Sequence, residues 1–361
     1  MKIANIILTS LNGGAEQVFI DYMKIFNNLN HQNFAIVKDD APYANIAKQY
    51  CQKILLIKNK FGYYDFFAIN HLKKFLQENE IDYVFAHGGR AMVIASKAIA
   101  KIKNRKVLLI AINHSNNVKR SIGADLIISI NQKIFYKTID LGQKPQQSFV
   151  VHNALDLTNH QESQTKILLN SQSVITIGVM GRMHEIKAFN RAILVIDYIK
   201  KNIKTGIFGE EFCRKKIILK IAGIGEEEKN LRNLVKELSL EDEVEFLGWI
   251  DKEDFFKQID IFLLTSKIET FGLVILEAMK FKKPIISTDT DGCAEIIRSD
   301  IDGLIVENKS GDLLIKQFAL AIEKISCNDQ LANNIVNNGY QRLLNKFSFI
   351  NLKNVLKEIV G

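Results

Sequence analysis

The sequence predicts an α/β protein of two domains, each a mainly parallel sheet covered by helices, and three observations lead there. Short β-branched runs alternate with helix-length segments, a polar stretch interrupts the alternation once, and the alternation then restarts. The length of 361 residues, 47% of them hydrophobic, exceeds the roughly 250–300 residues at which one core stops growing. In the first half, strands are expected at residues 3–8, 34–37, 54–57, 83–86, 107–112, 126–130 and 149–152. A helix is expected over 15–29, where Val18, Tyr22, Ile25, Phe26 and Leu29 recur at helical spacing. Residues 159–173, with the run Gln-Glu-Ser-Gln-Thr, have the composition of a linker. Beyond it come strands at 174–180, 217–222, 244–247, 261–264 and 285–287, and helices at 188–200, 226–238 and 273–280. The expected division is therefore 1–158, a linker over 159–173, and 174–346, with a terminal helix near 347–361 packing back on the first domain.

Composition narrows the function. Net charge is +8, but residues 1–160 hold 20 Lys+Arg against 11 Asp+Glu and the remainder 28 against 29, so only the first domain is basic. No zinc-finger spacing, RNA-recognition aromatic motif or basic heptad helix accompanies this excess, which disfavours nucleic acid and leaves a solvated lysine surface or an anionic partner. Cys51, Cys213, Cys293 and Cys327 stand singly and are read as structural. No run approaches the roughly 18 apolar residues of a spanning helix, so a cytoplasmic protein is expected.

Open parallel sheets bind ligands beyond the carboxyl ends of their strands. Candidate residues therefore lie just after strands. The most informative segment is Ser266-Lys267-Ile268-Glu269-Thr270-Phe271-Gly272-Leu273-Val274-Ile275-Leu276-Glu277-Ala278-Met279. Glu277 falls on a helix apolar nearly all round, where an unpartnered carboxylate costs several kcal/mol, so it needs donors. Two ribose hydroxyls supply them, or else a backbone amide or a lysine does. Glu269 precedes the helix start, and Phe271 to Val274 would turn free amides toward an anion such as phosphate.

Glu-x7-Glu in this setting resembles the retaining GT-B glycosyltransferases, above all family 4. The resemblance continues through Pro284, Gly292-Cys293-Ala294-Glu295-Ile296 and Asp302-Gly303-Leu304-Ile305-Val306. It implies two Rossmann-like domains facing each other across a cleft and a metal-independent transferase using a nucleotide-diphosphate sugar. UDP-sugar is the expected donor, and the acceptor a glycan or glycolipid of lipopolysaccharide type. Gly181-Arg182-Met183-His184-Glu185-Ile186-Lys187 is similar to the family segment whose arginine and lysine neutralise the donor diphosphate, although Ala188 stands where glycine is usual. By the same resemblance Gly223, Gly225, Leu247 and Gly248 line the phosphate and base pocket, and Glu277 holds the ribose. Thr270, Phe271, Gly272, Leu273 and Val274 meet the donor, and Glu269 orients the reacting sugar. In the first domain Gly13 and Gly14 would approach the donor phosphates, with Glu16 a secondary candidate. His114 is favoured over His87 to contact the sugar, and His152 to Asp156 is expected at the domain joint.

The dehydrogenase fingerprint Gly-x-Gly-x-x-Gly is absent. Two Asp-x-Asp triplets, at 289–291 and 300–302, are weighed as metal ligands and set aside, so no metal and no cofactor are expected. An epimerase on the same fold and a non-catalytic nucleotide-sugar-binding protein remain as alternatives. The basic cluster Lys101, Lys103, Arg105, Lys106, Lys119 and Arg120, with Phe61, Tyr63, Tyr64, Phe66 and Phe67, suits peripheral contact with an anionic membrane at its inner face.

Overall fold

The computed structural model describes all residues except 12, 159, 161–165 and 310, so Asn12 and part of the expected linker lie outside the described residues. The chain forms two compact units, one of Met1–Asp156 with Phe349–Gly361 and one of Leu157–Ser348.

Among the described residues the first unit holds seven strands: β1 (Lys2–Ile7), β2 (Gln32–Lys38), β3 (Lys53–Ile57), β4 (Tyr83–His87), β5 (Leu108–Asn113), β6 (Leu126–Ser129) and β7 (Ser148–Val150). All pair in parallel, in the order β3-β2-β1-β4-β5-β6-β7. Its helices are α1 (Gly14–Asn28), α2 (Ala44–Lys48), α3 (Phe66–Glu78), α4 (Gly89–Ile99) and α5 (Gln132–Asp140). Successive strand residues face opposite sides, so Ala4, Ile6 and Leu8 enter one core while Ile7 joins Phe19, Ile20 and Met23 of α1 in another.

The second unit repeats the plan with β8 (Val174–Met180), β9 (Lys216–Ala222), β10 (Val244–Gly248), β11 (Ile261–Leu264), β12 (Ile285–Thr288) and β13 (Leu304–Val306). These are again parallel, in the order β10-β9-β8-β11-β12-β13. Its helices are α6 (Phe189–Asn202), α7 (Glu210–Cys213), α8 (Glu228–Glu237), α9 (Lys252–Lys257), α10 (Leu273–Lys280), α11 (Asp291–Ile296), α12 (Asp312–Ser326) and α13 (Asp329–Lys346). A last helix, α14 (Phe349–Val360), belongs to the first unit, where it packs on α1 and accepts the Tyr83 hydroxyl at the carbonyl of Val360, 3.2 Å away.

Both strand orders reverse direction at one place, between β1 and β4 and between β8 and β11. Connections leave to opposite sides there, which opens a crevice beyond the strand ends. The residues expected to carry chemistry in the second unit follow β8 and β11.

The segment after residue 165 is tied to the second unit. Asn333 exchanges two hydrogen bonds with the backbone of Ile167, at 3.0 and 2.8 Å. The buried ammonium of Lys215 donates to the carbonyls of Leu169, Asn170 and Gln172 at 2.7–3.0 Å.

Candidate functional site

Beyond the ends of β8, β9 and β10 the backbone continues in contact. Gly181 N–H donates to Ala222 O at 3.1 Å, Met183 N–H to Ile224 O at 2.9 Å, and Gly223 N–H to Gly248 O at 2.6 Å. This proximity dictates the glycines. A Cβ on Gly223, whose φ is +125°, would stand 1.9 Å from the Gly181 carbonyl oxygen, and one on Gly225 would stand 2.3 Å from that of Met183. The first requirement on Gly223 and Gly225 is thus backbone packing against the Arg182 loop. Gly248 also has positive φ, +65°, with open space where a side chain would point. Leu247 is half-buried beside it, and the exposed Trp249 follows.

The loop after β8 closes with a single helical turn at Glu185–Lys187, capped by His184, whose Nδ1 accepts Ile186 N–H at 3.2 Å. Ala188 then adopts φ 50° and ψ 46°. That left-handed conformation costs a residue with a Cβ about 1 kcal/mol and costs glycine nothing, which explains physically why glycine suits this position. The loop is fastened to the one after β11. Lys267 N–H donates to Ile186 O at 2.8 Å, the Thr265 hydroxyl to Lys187 O at 3.1 Å, and Arg191 bridges Thr265 O and the Asn308 side chain at 3.0 and 2.9 Å.

This fastening sets Lys187 Nζ 2.5 Å from Glu269 Oε2, at the strand-order reversal between β8 and β11. Both side chains are largely buried, so the pair interacts at reduced dielectric. Arg182, earlier in the same loop, is exposed and has no partner among the described residues.

The Glu269 loop is held from below by Gly292. Its N–H donates to Glu269 O at 2.9 Å, and any Cβ there would meet the Phe271 backbone at 2.4 Å. Phe271 is buried edge-on against Phe347, with centroids 6.0 Å apart. Gly272 turns the chain with φ +93°, and α10 begins at Leu273, so the amides of Leu273 and Val274 fall in its first turn. Thr270, Leu273 and Val274 are half-buried at this edge. Glu277, 6% exposed, takes the ammonium of Lys252 at 2.6 Å. Of the donors open to Glu277, the structure supplies the lysine. Lys252 is half-exposed on the short α9 and was not legible as a site residue.

The first unit presents a separate constellation. Gly13 and Gly14 are exposed at the start of α1, but Glu16 is buried and occupied locally: it accepts Gly13 N–H at 3.0 Å and the Thr9 hydroxyl at 2.5 Å. His87 and His114 end adjacent strands, and the structure brings them together. His87 Nδ1 lies 3.1 Å from His114 Nε2, the rings stack at 5.3 Å, and Phe19 and Tyr22 meet the His87 ring edge-on at 5.4 Å. Burial, and secondarily repulsion by His114, holds His87 well below the usual imidazole range. Burial lowers His114 to about 4. Both rings are neutral near pH 7, able to exchange hydrogen bonds without carrying charge.

Among the described residues no cluster of three or more His, Cys, Asp or Glu is arranged to hold a metal ion. Asp302 is buried against Arg298 at 2.6 Å, and Asp300 pairs with Lys324 at 2.7 Å. Burial raises the Cys293 thiol to about 12, which removes its reactivity. A cavity of about 240 Å³ adjoins the 183–189 loop and α8, and neither Arg182, Lys187, Glu269 nor Glu277 lines it.

Residues 160–342, which span every site residue from Gly181 to Glu277, match the family model described as glycosyl transferases group 1. The chain belongs to this family. An uncharacterized glycosyltransferase of Haemophilus influenzae is 25% identical to this group 1 chain over 321 residues, 86% of this chain and 87% of that one. The lipopolysaccharide core biosynthesis glycosyltransferase LpsE of Rhizobium meliloti is 34% identical over 133 residues, 37% of this chain and 38% of that one. HepE of Anabaena, solved in complex with UDP and glucose, superposes with a TM-score of 0.80 at 19% identity, covering 100% of this chain and 99% of that one. The outer core galactosyltransferase WaaB gives 0.73 at 19% identity, covering 99% and 100%. The fold of this group 1 glycosyltransferase is GT-B, two parallel α/β sheets as the alternation predicts. No helix among the described residues is long and apolar enough to cross a membrane.

Proposed function

We propose that the chain is a retaining, metal-independent glycosyltransferase of family 4 type. It moves a hexosyl or N-acetylhexosaminyl group from a UDP-sugar to a hydroxyl of a glycan or glycolipid acceptor in lipopolysaccharide or related surface-glycan assembly. The observation that carries this reading is the Lys187–Glu269 pair at the strand-order reversal, with the exposed Arg182 on the same loop as Lys187. A family relative named for lipopolysaccharide core synthesis and a fold neighbour holding UDP and glucose agree with it.

Transfer breaks the bond from the anomeric carbon to the diphosphate and forms one to the acceptor oxygen on the same face. The acceptor's proton leaves on the departing phosphate. The protein's task is to stabilise charge on the diphosphate and hold the sugar. Arg182, Lys187 and the amides of α10's first turn supply positive potential fixed in advance, which is effective because nothing must reorganise as charge develops. Glu269, its charge compensated by Lys187, accepts sugar hydroxyls. Glu277 exchanges the solvent-facing Lys252 for the two ribose hydroxyls, so the buried carboxylate is never left without donors. Gly13 and Gly14 leave room for the diphosphate, and the neutral His114 hydrogen-bonds the transferred sugar.

The test is donor binding by calorimetry and turnover with a panel of nucleotide sugars. Glu277→Gln is expected to weaken UDP binding about tenfold, the worth of one hydrogen bond to a charged group. Glu269→Gln is expected to lower kcat by roughly 10²-fold or more with little change in UDP affinity, and Lys187→Ala to weaken UDP more than uridine. Product anomeric configuration and activity in excess chelator check retention and metal independence. UDP binding without transfer or donor hydrolysis would instead indicate a nucleotide-sugar-binding protein.

A further inference from the structure

Residues 60–68 of the first unit, the loop before α3 and the first turn of that helix, display apolar rings outward. Phe61, Tyr64, Phe66 and Phe67 are 67%, 81%, 60% and 75% exposed. Such a concentration on a folded surface marks an interaction site. The display is built into the loop. The buried Asp65 carboxylate accepts the N–H groups of Lys60, Phe61 and Ala68 at 2.8, 3.1 and 3.0 Å, and Asn59 donates to Gly62 O at 2.8 Å. The one acid of the segment is thereby turned inward, and the surface carries no negative charge from it.

Cations from other elements cover the ring faces. Lys97 of α4 lies 4.1 Å from the Tyr64 centroid, Lys101 4.4 Å from that of Phe66, and Arg120 4.0 Å from that of Tyr63. Arg105, grouped with these cations by sequence, pairs with Asp82 instead. Exposed rings with cations over three of them give a surface both apolar and positive. A single-stranded nucleic acid stacks its bases on ring faces, and cations already lie over Tyr63, Tyr64 and Phe66. An interfacial lipid layer uses ring edges for the acyl boundary and cations for headgroup phosphates.

We propose that this face docks on an anionic lipid bilayer, with Phe61, Phe66 and Phe67 entering the interface and Lys97, Lys101 and Arg120 meeting lipid phosphates. The inference is independent of the donor-site reading, since none of these residues belongs to that site.

The experiment is co-sedimentation of the full chain with phosphatidylcholine vesicles with and without phosphatidylglycerol, at low and high salt. The wild type is expected to bind the phosphatidylglycerol vesicles, more weakly as salt rises. The variant Phe61→Ser/Phe66→Ser/Phe67→Ser is expected to lose roughly tenfold or more of the partition coefficient even at low salt. The variant Lys97→Gln/Lys101→Gln/Arg120→Gln is expected to lose the preference for phosphatidylglycerol. Melting temperature and UDP affinity serve as controls for folding, and Phe67→Ser alone, at the most exposed of the three phenylalanines, replaces the triple variant if that fails to fold. The proposal is overturned if the wild type does not sediment with anionic vesicles, or if the folded variants sediment as it does. Patch-dependent binding to a single-stranded oligonucleotide, with none to vesicles, overturns it as well.

Discussion

At the scale of single residues, the His87–His114 pair shows how burial selects a protonation state. Only one of the two facing nitrogens can carry the shared proton. His87 Nε2 is buried without a partner among the described residues, so the economical tautomer leaves Nε2 bare and lets His87 Nδ1–H donate to His114 Nε2. A consequence for stability follows. The unfolded chain takes up protons near the ordinary imidazole pKa of about 6.5, whereas folded His114 does so only near 4 and His87 lower still. The unfolded state therefore binds more protons in that window. The pair's contribution is fully present above about pH 6.5 and is lost as pH falls toward 4. Urea midpoints across this range should fall for the wild type and fall less for His87→Leu/His114→Gln. Parallel profiles would contradict the assignment. From sequence the two histidines were separate candidates with His114 preferred. That they touch depends on β4 and β5 being neighbours, and no local pattern states which strands are neighbours.

At the scale of elements, the glycines at the ends of β9 and β10 make a sharp contrast. Gly223→Ala places a Cβ against a backbone carbonyl at 1.9 Å, and backbone cannot step aside as a flexible side chain can, so a loss of about 3 kcal/mol or more is expected. Gly248→Ala meets open space and bears only the left-handed backbone cost of about 1 kcal/mol. Thermal melting of both variants checks the order, and equal shifts would contradict it. Most strands were legible to within a residue or two because buried parallel strands are runs of β-branched and apolar residues, as in β8 and β11. β13, Leu304–Val306, falls within the segment Asp302-Gly303-Leu304-Ile305-Val306 that carries the family resemblance and is absent from the expected strands. Glu269, Glu277 and Lys187 were legible through spacing and resemblance. The Lys187–Glu269 contact was not, since it follows from the adjacency of β8 and β11, and Lys252 was hidden on a short helix rich in charge.

At the scale of the whole molecule, the division into units does not follow chain order. The first unit is finished by α14, whose Leu352, Leu356 and Val360 are buried and whose first amide donates to Leu155 O at 3.1 Å. Truncation after Ser348 removes these side chains, each worth about 1.5–3 kcal/mol of burial. Hydrogen exchange of the truncated chain should show strand amides of the first unit losing protection while those of β8 to β12 keep theirs. Protection lost equally in both units would refute this. The same arrangement imposes an order in time. The second unit is one uninterrupted stretch, Leu157–Ser348, able to collapse as it leaves the ribosome. The first unit emerges earlier yet lacks its final helix until that whole stretch has been translated, a wait of roughly 10–40 s at about 5–20 residues per second. During that interval the apolar surface that α14 will cover stands open on the nascent chain, so the half made first is the half that needs a chaperone.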